Sequence, residues 1–160
     1  MKGKLYGIGI GPGDPELLTL KAVRLIREAD VIAVPGKVKT ETVAYQITVQ
    51  AVPEIADKEC VEVYYPMSKD PEILEKCHTE AAEKIETYLA AGKTVAFLTL
   101  GDTTVYSTYI YVHTKLLEKG YEAEIVSGIT SFCAVAARLN IGLVEKAEEL
   151  HIIPASYQIE

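Results

Sequence analysis

Residues 5–35 read LYGIGIGPGDPELLTLKAVRLIREADVIAVP, and this stretch decides the fold class. Its first part, 5–10, is a short apolar run with glycines at alternate positions, and a Gly-Pro-Gly-Asp loop signal follows, so we predict a buried strand and a tight turn. Asp14 is a good helix N-cap and Pro15 suits the first helical position, which predicts a helix that begins at residue 15. A second apolar run at 31–34 is the next strand. Strand, helix and strand in this order indicate a parallel sheet.

The same alternation of strands and helices continues along the rest of the chain. A second Asp-Pro-Glu cap signal at 70–72 precedes a long helical repeat that ends at Gly92. Alternating elements of this kind indicate an α/β fold in which helices cover both faces of a mostly parallel sheet. The further predicted helices are 41–50, 71–91, 105–119 and 131–139, and the further predicted strands are 62–65, 94–100, 122–126 and 151–154.

Glycine-containing turns at 11–13, 101–102 and 127–128 each follow a predicted strand. Ligands of open α/β sheets bind beyond the carboxyl ends of the strands, so we expect these three loops to meet at one rim. Glycines let a ligand approach the main chain, and the side chains nearby are short and polar. Such a rim suits a ligand bound by its shape, and chemistry that needs little proton transfer.

The opening glycines do not form the dinucleotide fingerprint Gly-x-Gly-x-x-Gly. In the three possible registers, the third glycine position holds Pro12, Asp14 or Glu16, and a carboxylate there would repel a phosphate. The sequence also lacks a phosphate-binding Walker loop and the Gly-x-Ser-x-Gly motif of many serine hydrolases. Its three cysteines and three histidines lack the spacing of a metal site, so we predict none.

Charge and hydropathy exclude other partners. The 160 residues carry a formal charge of −7 and show no basic patch, which argues against binding to nucleic acid. No run of eighteen apolar residues is present, so we expect a soluble, cytoplasmic protein without a membrane partner.

Three segments resemble the tetrapyrrole (corrin and porphyrin) methylases. They are residues 7–35 of the opening stretch, LTLGDTTVYSTYIYVHTKLLEKGYEAEIVSGITSFCAVAARLNI at 98–141, and HIIPAS at 151–156. The runs TVYST and GITSF are most similar to the branch that methylates carbon 20 of precorrin-2 or cobalt-factor II in cobalamin biosynthesis.

The resemblance implies an S-adenosylmethionine-dependent methyltransferase that acts on a tetrapyrrole and forms a homodimer. Methyl transfer from a sulfonium to a ring carbon is an in-line displacement, so catalysis would come mainly from proximity and alignment, without a named catalytic side chain. The implied cofactor-binding residues are Gly101, Asp102, Thr103, Tyr106, Ser107, Thr130 and Ser131. The implied substrate-binding residues are Gly11, Pro12, Gly13 and Asp14.

Several of these residues have a purely structural interpretation that stays open. Asp102 could cap the helix expected near Val105, Thr130 and Ser131 could cap the following helix, and Asp14 is a helix cap first. The sequence also departs from the family, because Thr103 replaces a usual proline and Ser127 replaces another. Proline fixes φ, so both changes leave the loops less constrained.

Members of the family continue for several more strands and helices than this chain. We therefore expect an N-terminal α/β domain at 1–119 and the start of an incomplete second α/β domain at 120–160, so that the chain looks truncated. The alternatives for function are a methyltransferase of the same fold that acts on another corrin position or on a non-tetrapyrrole acceptor, and a non-catalytic fragment.

Overall fold

Five parallel strands form one sheet in the computed structural model, which describes residues 1–154. The strand order is β3-β2-β4-β1-β5. The strands are β1 (Lys4–Gly9), β2 (Val31–Pro35), β3 (Glu59–Val63), β4 (Val95–Thr99) and β5 (Glu122–Val126). The helices are α1 (Leu20–Glu28), α2 (Val43–Ala51), α3 (Pro71–Ala90), α4 (Tyr109–Glu118) and α5 (Ser131–Arg138). The predicted α/β class with a parallel sheet is confirmed.

The sheet register brings the carboxyl ends of the strands to one level. Gly9 of β1 lies opposite Thr99 of β4, and Ile8 lies opposite Val126 of β5. Since neighbouring strands lie about 5 Å apart, the loops that follow β4, β1 and β5 emerge side by side. This rim is where the sequence places its glycine turns.

Two apolar clusters hold the helices against the sheet. The central strand β4 is buried along its whole length, and its side chains alternate between the two faces. Leu98 belongs to the cluster that includes residues of α1 and α2, whereas Phe97 belongs to the cluster that includes residues of α3 and α4. Burial on both faces explains why this strand is a continuous apolar run in the sequence.

The first helix begins later than predicted. Pro15–Leu17 form only a 3₁₀ turn, in which Asp14 Oδ1 accepts a hydrogen bond of 2.9 Å from the Glu16 amide. Leu18 is extended, and Thr19 then caps α1 by accepting a 3.0 Å hydrogen bond from the Ala22 amide. The predicted start at residue 15 is wrong because Thr19 supplies a second N-cap that the helix uses instead.

Three other predicted elements differ from the structure. The helix predicted to begin at 105 begins only at Tyr109. Tyr106 has a φ of +49°, which a right-handed α-helix does not allow. The strand predicted at 62–65 begins three residues and ends two residues earlier in the structure, and 151–154 form no strand. The Asp70-capped helix α3 and the predicted helix 131–139 are confirmed to within a residue or two.

The pairing of β5 bears on the expected division into two domains. β5 follows the expected boundary at 119, yet it pairs with β1 in the same sheet as the four earlier strands. The second domain at 120–160 stays a prediction, and its residues 155–160 lie outside the described residues. Within residues 1–154, no helix combines the length and the apolar character that a membrane span requires.

Candidate functional site

Three glycines bring the loops after β1, β4 and β5 into main-chain contact at the rim. The Gly11 amide donates to the Gly101 carbonyl at 3.2 Å, and the Gly101 amide donates back at 2.8 Å. A Cβ added to Gly128 would lie 2.1 Å from the Gly101 carbonyl oxygen, and one added to Gly9 would lie 2.7 Å from the same atom. We call Gly9, Gly101 and Gly128 the glycine junction. The structure therefore brings the three loops together at one rim, as predicted.

Asp102 ties the loop after β4 to the loop after β5. Its Oδ1 accepts a 2.8 Å hydrogen bond from the Gly128 amide, while Oδ2 accepts from both the amide and the hydroxyl of Thr104. Burial raises the pKa of the Asp102 carboxyl, but these hydrogen bonds outweigh that effect and bring the pKa below its ordinary value of 3.8. The interpretation of Asp102 as the cap of the next helix is wrong, because α4 begins at Tyr109.

A cavity of about 370 Å³ opens beside the glycine junction, and we call it the rim cavity. Its wall includes the main chain after β4 and the amino end of α5. The Thr130 hydroxyl is buried there and has no hydrogen-bond partner among the described residues. Since a buried hydroxyl without a partner is costly, this atom is suited to a bound ligand. The cavity is lined by Pro12, Leu100, Gly101, Asp102, Val105, Tyr106, Thr130, Ser131, Phe132, Ile152, Ile153 and Pro154.

Tyr106 closes one side of the rim cavity in an uncommon backbone conformation. Its φ of +49° lies in the left-handed region, which bulky residues rarely adopt. The Tyr106 hydroxyl donates a 3.3 Å hydrogen bond to the Ile152 carbonyl, although 63% of the residue is exposed. Strained residues of this kind concentrate at ligand sites. Tyr106 thereby joins the loop after β4 to the segment 152–154 across the cavity.

Thr103 and Ser107, both implied as cofactor-binding residues, do not line the rim cavity. Thr103 is fully buried, and its hydroxyl lies within hydrogen-bond distance of the Gly7 and Val126 carbonyls, at 3.2 and 3.3 Å. Ser107 Oγ accepts a 3.3 Å hydrogen bond from the Tyr109 amide at the start of α4. The side chains of both residues therefore have structural partners within the protein.

The implied substrate residues border a second depression. This α5 groove, of about 480 Å³, runs between the loop after β1 and α5 and shares Pro12 and Ser131 with the rim cavity. Gly13 and Asp14 line it, whereas Gly11 is paired with Gly101 and lines neither depression. The groove is lined by Pro12, Gly13, Asp14, Leu17, Ser131, Ala134, Val135, Ala137 and Arg138.

Sequence reasoning missed the apolar wall of the rim cavity. The sequence predicts a helix at Val105 and a strand at Ile152 and Ile153, which gives no reason to expect ligand contacts from these side chains. The run HIIPAS at 151–156, one of the segments that resemble the family, is the available signal for Ile152 and Ile153. Thr130 occupies the N-cap position of α5, but its side chain makes no capping hydrogen bond. Among residues 1–154, no cluster of three or more His, Cys, Asp or Glu side chains could hold a metal ion.

The chain is similar in sequence to proteins of a known family. Residues 4–160 match the sequence model of the family described as Tetrapyrrole (Corrin/Porphyrin) Methylases. A protein of Methanocaldococcus jannaschii named "Probable cobalt-precorrin-2 C(20)-methyltransferase" is 44% identical over 159 residues, which are 98% of this chain and 66% of that protein.

Two solved structures show the same architecture. The cobalt precorrin-4 methyltransferase CbiF is 25% identical with a TM-score of 0.67, over 97% of this chain and 62% of that one. The uroporphyrin-III C-methyl transferase of Thermus thermophilus, complexed with S-adenyl homocysteine, is 30% identical with a TM-score of 0.60, over 84% of this chain and 48% of that one. The chain thus spans less than two thirds of the length of these relatives.

Proposed function

The chain belongs to the tetrapyrrole (corrin/porphyrin) methylase family, and on this premise we propose that the protein transfers a methyl group from S-adenosylmethionine to carbon 20 of precorrin-2 or cobalt-factor II in cobalamin biosynthesis. The observation that carries the proposal is the rim cavity, where the buried Thr130 hydroxyl, which has no partner within residues 1–154, lies beside main chain and apolar side chains. When bound, S-adenosylmethionine would supply a methyl group on a sulfonium: an electron-rich ring carbon would take it up as the thioether leaves, and the proton that this carbon carried would then be released to solvent.

The residues of the rim cavity fit this cofactor in their chemistry. Thr130 offers a hydroxyl that can donate and accept, and Gly101 allows a ligand to lie against the main chain. Val105, Phe132 and Ile153 offer an apolar surface suited to an adenine ring. Under this proposal, Gly101, Asp102, Tyr106, Thr130 and Ser131 form the cofactor site, while Thr103 and Ser107 shape its loops from behind.

The α5 groove is the proposed place of the macrocycle, because it continues from the rim cavity through Pro12 and Ser131. Of the two carboxylates that line the cavity and the groove, Asp102 is held by three hydrogen bonds and Asp14 by one. Because both carboxylates already accept hydrogen bonds within the protein, they agree with a methyl displacement that depends more on the alignment of donor and acceptor than on proton transfer to the protein. Gly11, through its pairing with Gly101, positions the loop that carries Pro12, Gly13 and Asp14.

Thr130 provides a test of the cofactor site. We expect Thr130→Val to weaken the binding of S-adenosylhomocysteine, measured by calorimetry, about five- to tenfold, since one hydrogen bond to the ligand is lost. The same change should leave thermal stability equal or slightly higher, because it removes a buried hydroxyl without a partner. Thr130→Ser keeps the hydroxyl and should bind nearly as the parent protein does. Equal affinity in Thr130→Val would contradict a cofactor contact at this atom.

Turnover assays test the acceptor. Incubation with S-adenosylmethionine and either cobalt-factor II or precorrin-2 should give a product in which a methyl group replaces one ring hydrogen, a net gain of CH2, followed by absorbance and mass spectrometry. Cofactor binding with no transfer to either compound, but with transfer to another tetrapyrrole, would favour the alternative acceptor. Cofactor binding without transfer to any tetrapyrrole would favour a binding domain.

We further propose a homodimer, a cytoplasmic location and a second α/β domain. Sedimentation would test the homodimer, cell fractionation the location, and a structure with bound cofactor the second domain.

A further inference from the structure

Arg138 is the basic residue among the described side chains that line the rim cavity and the α5 groove. It lies in the last turn of α5, on the same helix face as Ser131 and Ala134, since positions 131, 134 and 138 recur at spacings of three and four. Pro12 and Gly13 form the opposite wall of the groove. A ligand that fills the groove therefore lies within reach of the Arg138 guanidinium.

The Arg138 guanidinium has no carboxylate within 4.0 Å among residues 1–154, unlike the other two arginines of the chain. Arg24 pairs with Glu28 at 3.2 Å, and Arg27 pairs with Glu54 at 3.3 Å. Asp14 lines the same groove, but its carboxylate caps the 3₁₀ turn after β1 and forms no ion pair with Arg138. The structure thus leaves one guanidinium available in a groove whose nearest carboxylate has another partner.

The charge of the molecule makes this one cation important. The chain carries a net charge of −7, and both acidic residues of the two depressions are aspartates with internal hydrogen bonds. Precorrin-type tetrapyrroles bear acetate and propionate side chains, so they are polyanions that this field repels. A guanidinium binds a carboxylate through two parallel hydrogen bonds, which opposes the repulsion and fixes the orientation of the ring.

We propose that Arg138 binds one carboxylate side chain of the tetrapyrrole substrate and so determines which ring edge lies next to the rim cavity. This inference rests on the proposed function, because it takes the α5 groove as the acceptor site. Arg138 acts here on substrate binding and orientation, and its contribution should appear in KM more than in cofactor affinity.

Arg138→Gln tests the contact in the protein with cobalt-factor II as substrate. We expect the KM for the tetrapyrrole to rise about tenfold, the effect of a contact worth about 1.4 kcal/mol, while the dissociation constant of S-adenosylhomocysteine stays within twofold. Arg138→Lys keeps the charge without the paired donors and should give an intermediate KM. The matched control is Arg24→Gln, on α1, which should leave KM unchanged. A KM within twofold of the parent value in Arg138→Gln would overturn the inference.

A binding measurement separates this inference from the proposed function. Uroporphyrin III and its octamethyl ester are stable probes that differ only in their carboxyl groups, and binding of each can be followed by porphyrin fluorescence. The parent protein should prefer the free acid, and Arg138→Gln should reduce that preference several-fold. If neither cobalt-factor II nor precorrin-2 is methylated but this loss is seen, the acceptor assignment fails and the role of Arg138 stands. If methylation occurs and the preference is unchanged in Arg138→Gln, the role of Arg138 fails and the proposed function stands.

Discussion

Asp102 shows how a single carboxylate can act on a site through the main chain. Its hydrogen bond from the Gly128 amide connects the loops after β4 and β5, and its hydrogen bond from the Thr104 amide lies within the loop after β4. Because these bonds stabilise the ionised form, the pKa of Asp102 is lower in the folded protein than in the unfolded chain. Ionised Asp102 therefore stabilises the fold at neutral pH, and this stabilisation is present above its ordinary pKa of 3.8.

Asp102→Asn should lower the free energy of unfolding at pH 7, because the amide nitrogen of asparagine would face donors that now meet a carboxylate oxygen. The difference between parent and variant should shrink as the pH falls below 3.8, since protonation removes the charge from the folded parent protein as well. Urea unfolding at several pH values between 7 and 3 measures this difference.

Asp57→Asn serves as the control for this experiment. Asp57 is exposed and its carboxylate has no hydrogen bond or ion pair among the described residues, so its replacement should leave stability nearly unchanged at each pH. A deficit in Asp102→Asn that stays constant across the range would show that the charge of Asp102 does not contribute.

Individual side chains were the hardest part of the site to predict from the sequence. The family resemblance placed Gly101, Thr130 and Ser131 near one another, and the structure brings them to one cavity. It could not distinguish these residues from Thr103, because the direction of a side chain in a loop depends on backbone angles that no periodic pattern specifies. The left-handed conformation of Tyr106 is of the same kind, since sequence propensities favour glycine or asparagine there.

At the scale of elements, the glycine junction is the feature on which the rim depends. Gly128→Ala would place a methyl group 2.1 Å from the Gly101 carbonyl oxygen, a backbone atom that accepts the Gly11 amide hydrogen bond between the loops after β4 and β1. We expect this variant to lose several kcal/mol of stability, as overpacking of backbone does, and to lose binding of S-adenosylhomocysteine. Thermal denaturation and calorimetry measure the two effects.

Gly142→Ala is the matched control for the glycine junction. Its added methyl group would meet only the flexible side chain of Glu145, with the nearest atom at 3.5 Å. Stability and cofactor affinity should both remain near the parent values. If Gly128→Ala behaved like Gly142→Ala, the close packing of the three loops would not govern the cavity.

The type of an element was predictable where apolar residues repeat at a regular spacing over many turns. The boundary of an element was not predictable where two possible N-caps lie close together. The helix α3 was predicted correctly because Asp70 caps it and its apolar positions repeat over many turns. The start of α1 was wrong because Asp14 and Thr19 are both good caps, and the Pro15 signal favoured the earlier one. Local propensity did not decide between them, because both residues offer the same capping chemistry, and α1 uses Thr19.

At the scale of the whole molecule, one sheet lies between the two apolar clusters, so we expect them to unfold as one cooperative unit. Phe97→Ala should lower the free energy of unfolding by about 3–5 kcal/mol, since the side chain is fully buried on the α3 and α4 face of β4. Urea unfolding followed by far-UV circular dichroism and by tyrosine fluorescence should still give coincident transitions.

The control for Phe97→Ala is a truncation at an exposed apolar site. Leu117→Ala, on α4, removes a side chain from a residue that is 46% exposed and should cost well under half as much. Separate transitions for the two probes in Phe97→Ala would contradict a single cooperative unit.

The order β3-β2-β4-β1-β5 was not predictable from local patterns, although the fold class was. Alternating strands and helices require parallel neighbours, but they do not say that β4 inserts between β2 and β1. That arrangement depends on contacts between distant residues, such as Gly7 with Tyr109, whose ring occupies the space that a side chain at position 7 would need.

The glycine junction also has a consequence for how such proteins diversify. Main-chain groups form the wall next to the junction, whereas side chains of α5 form one wall of the α5 groove. Under the proposed function, substitutions along α5 would therefore change the recognised acceptor while the methyl source stays the same. A biosynthetic route with several successive methylations can in this way draw all of its catalysts from one duplicated ancestor.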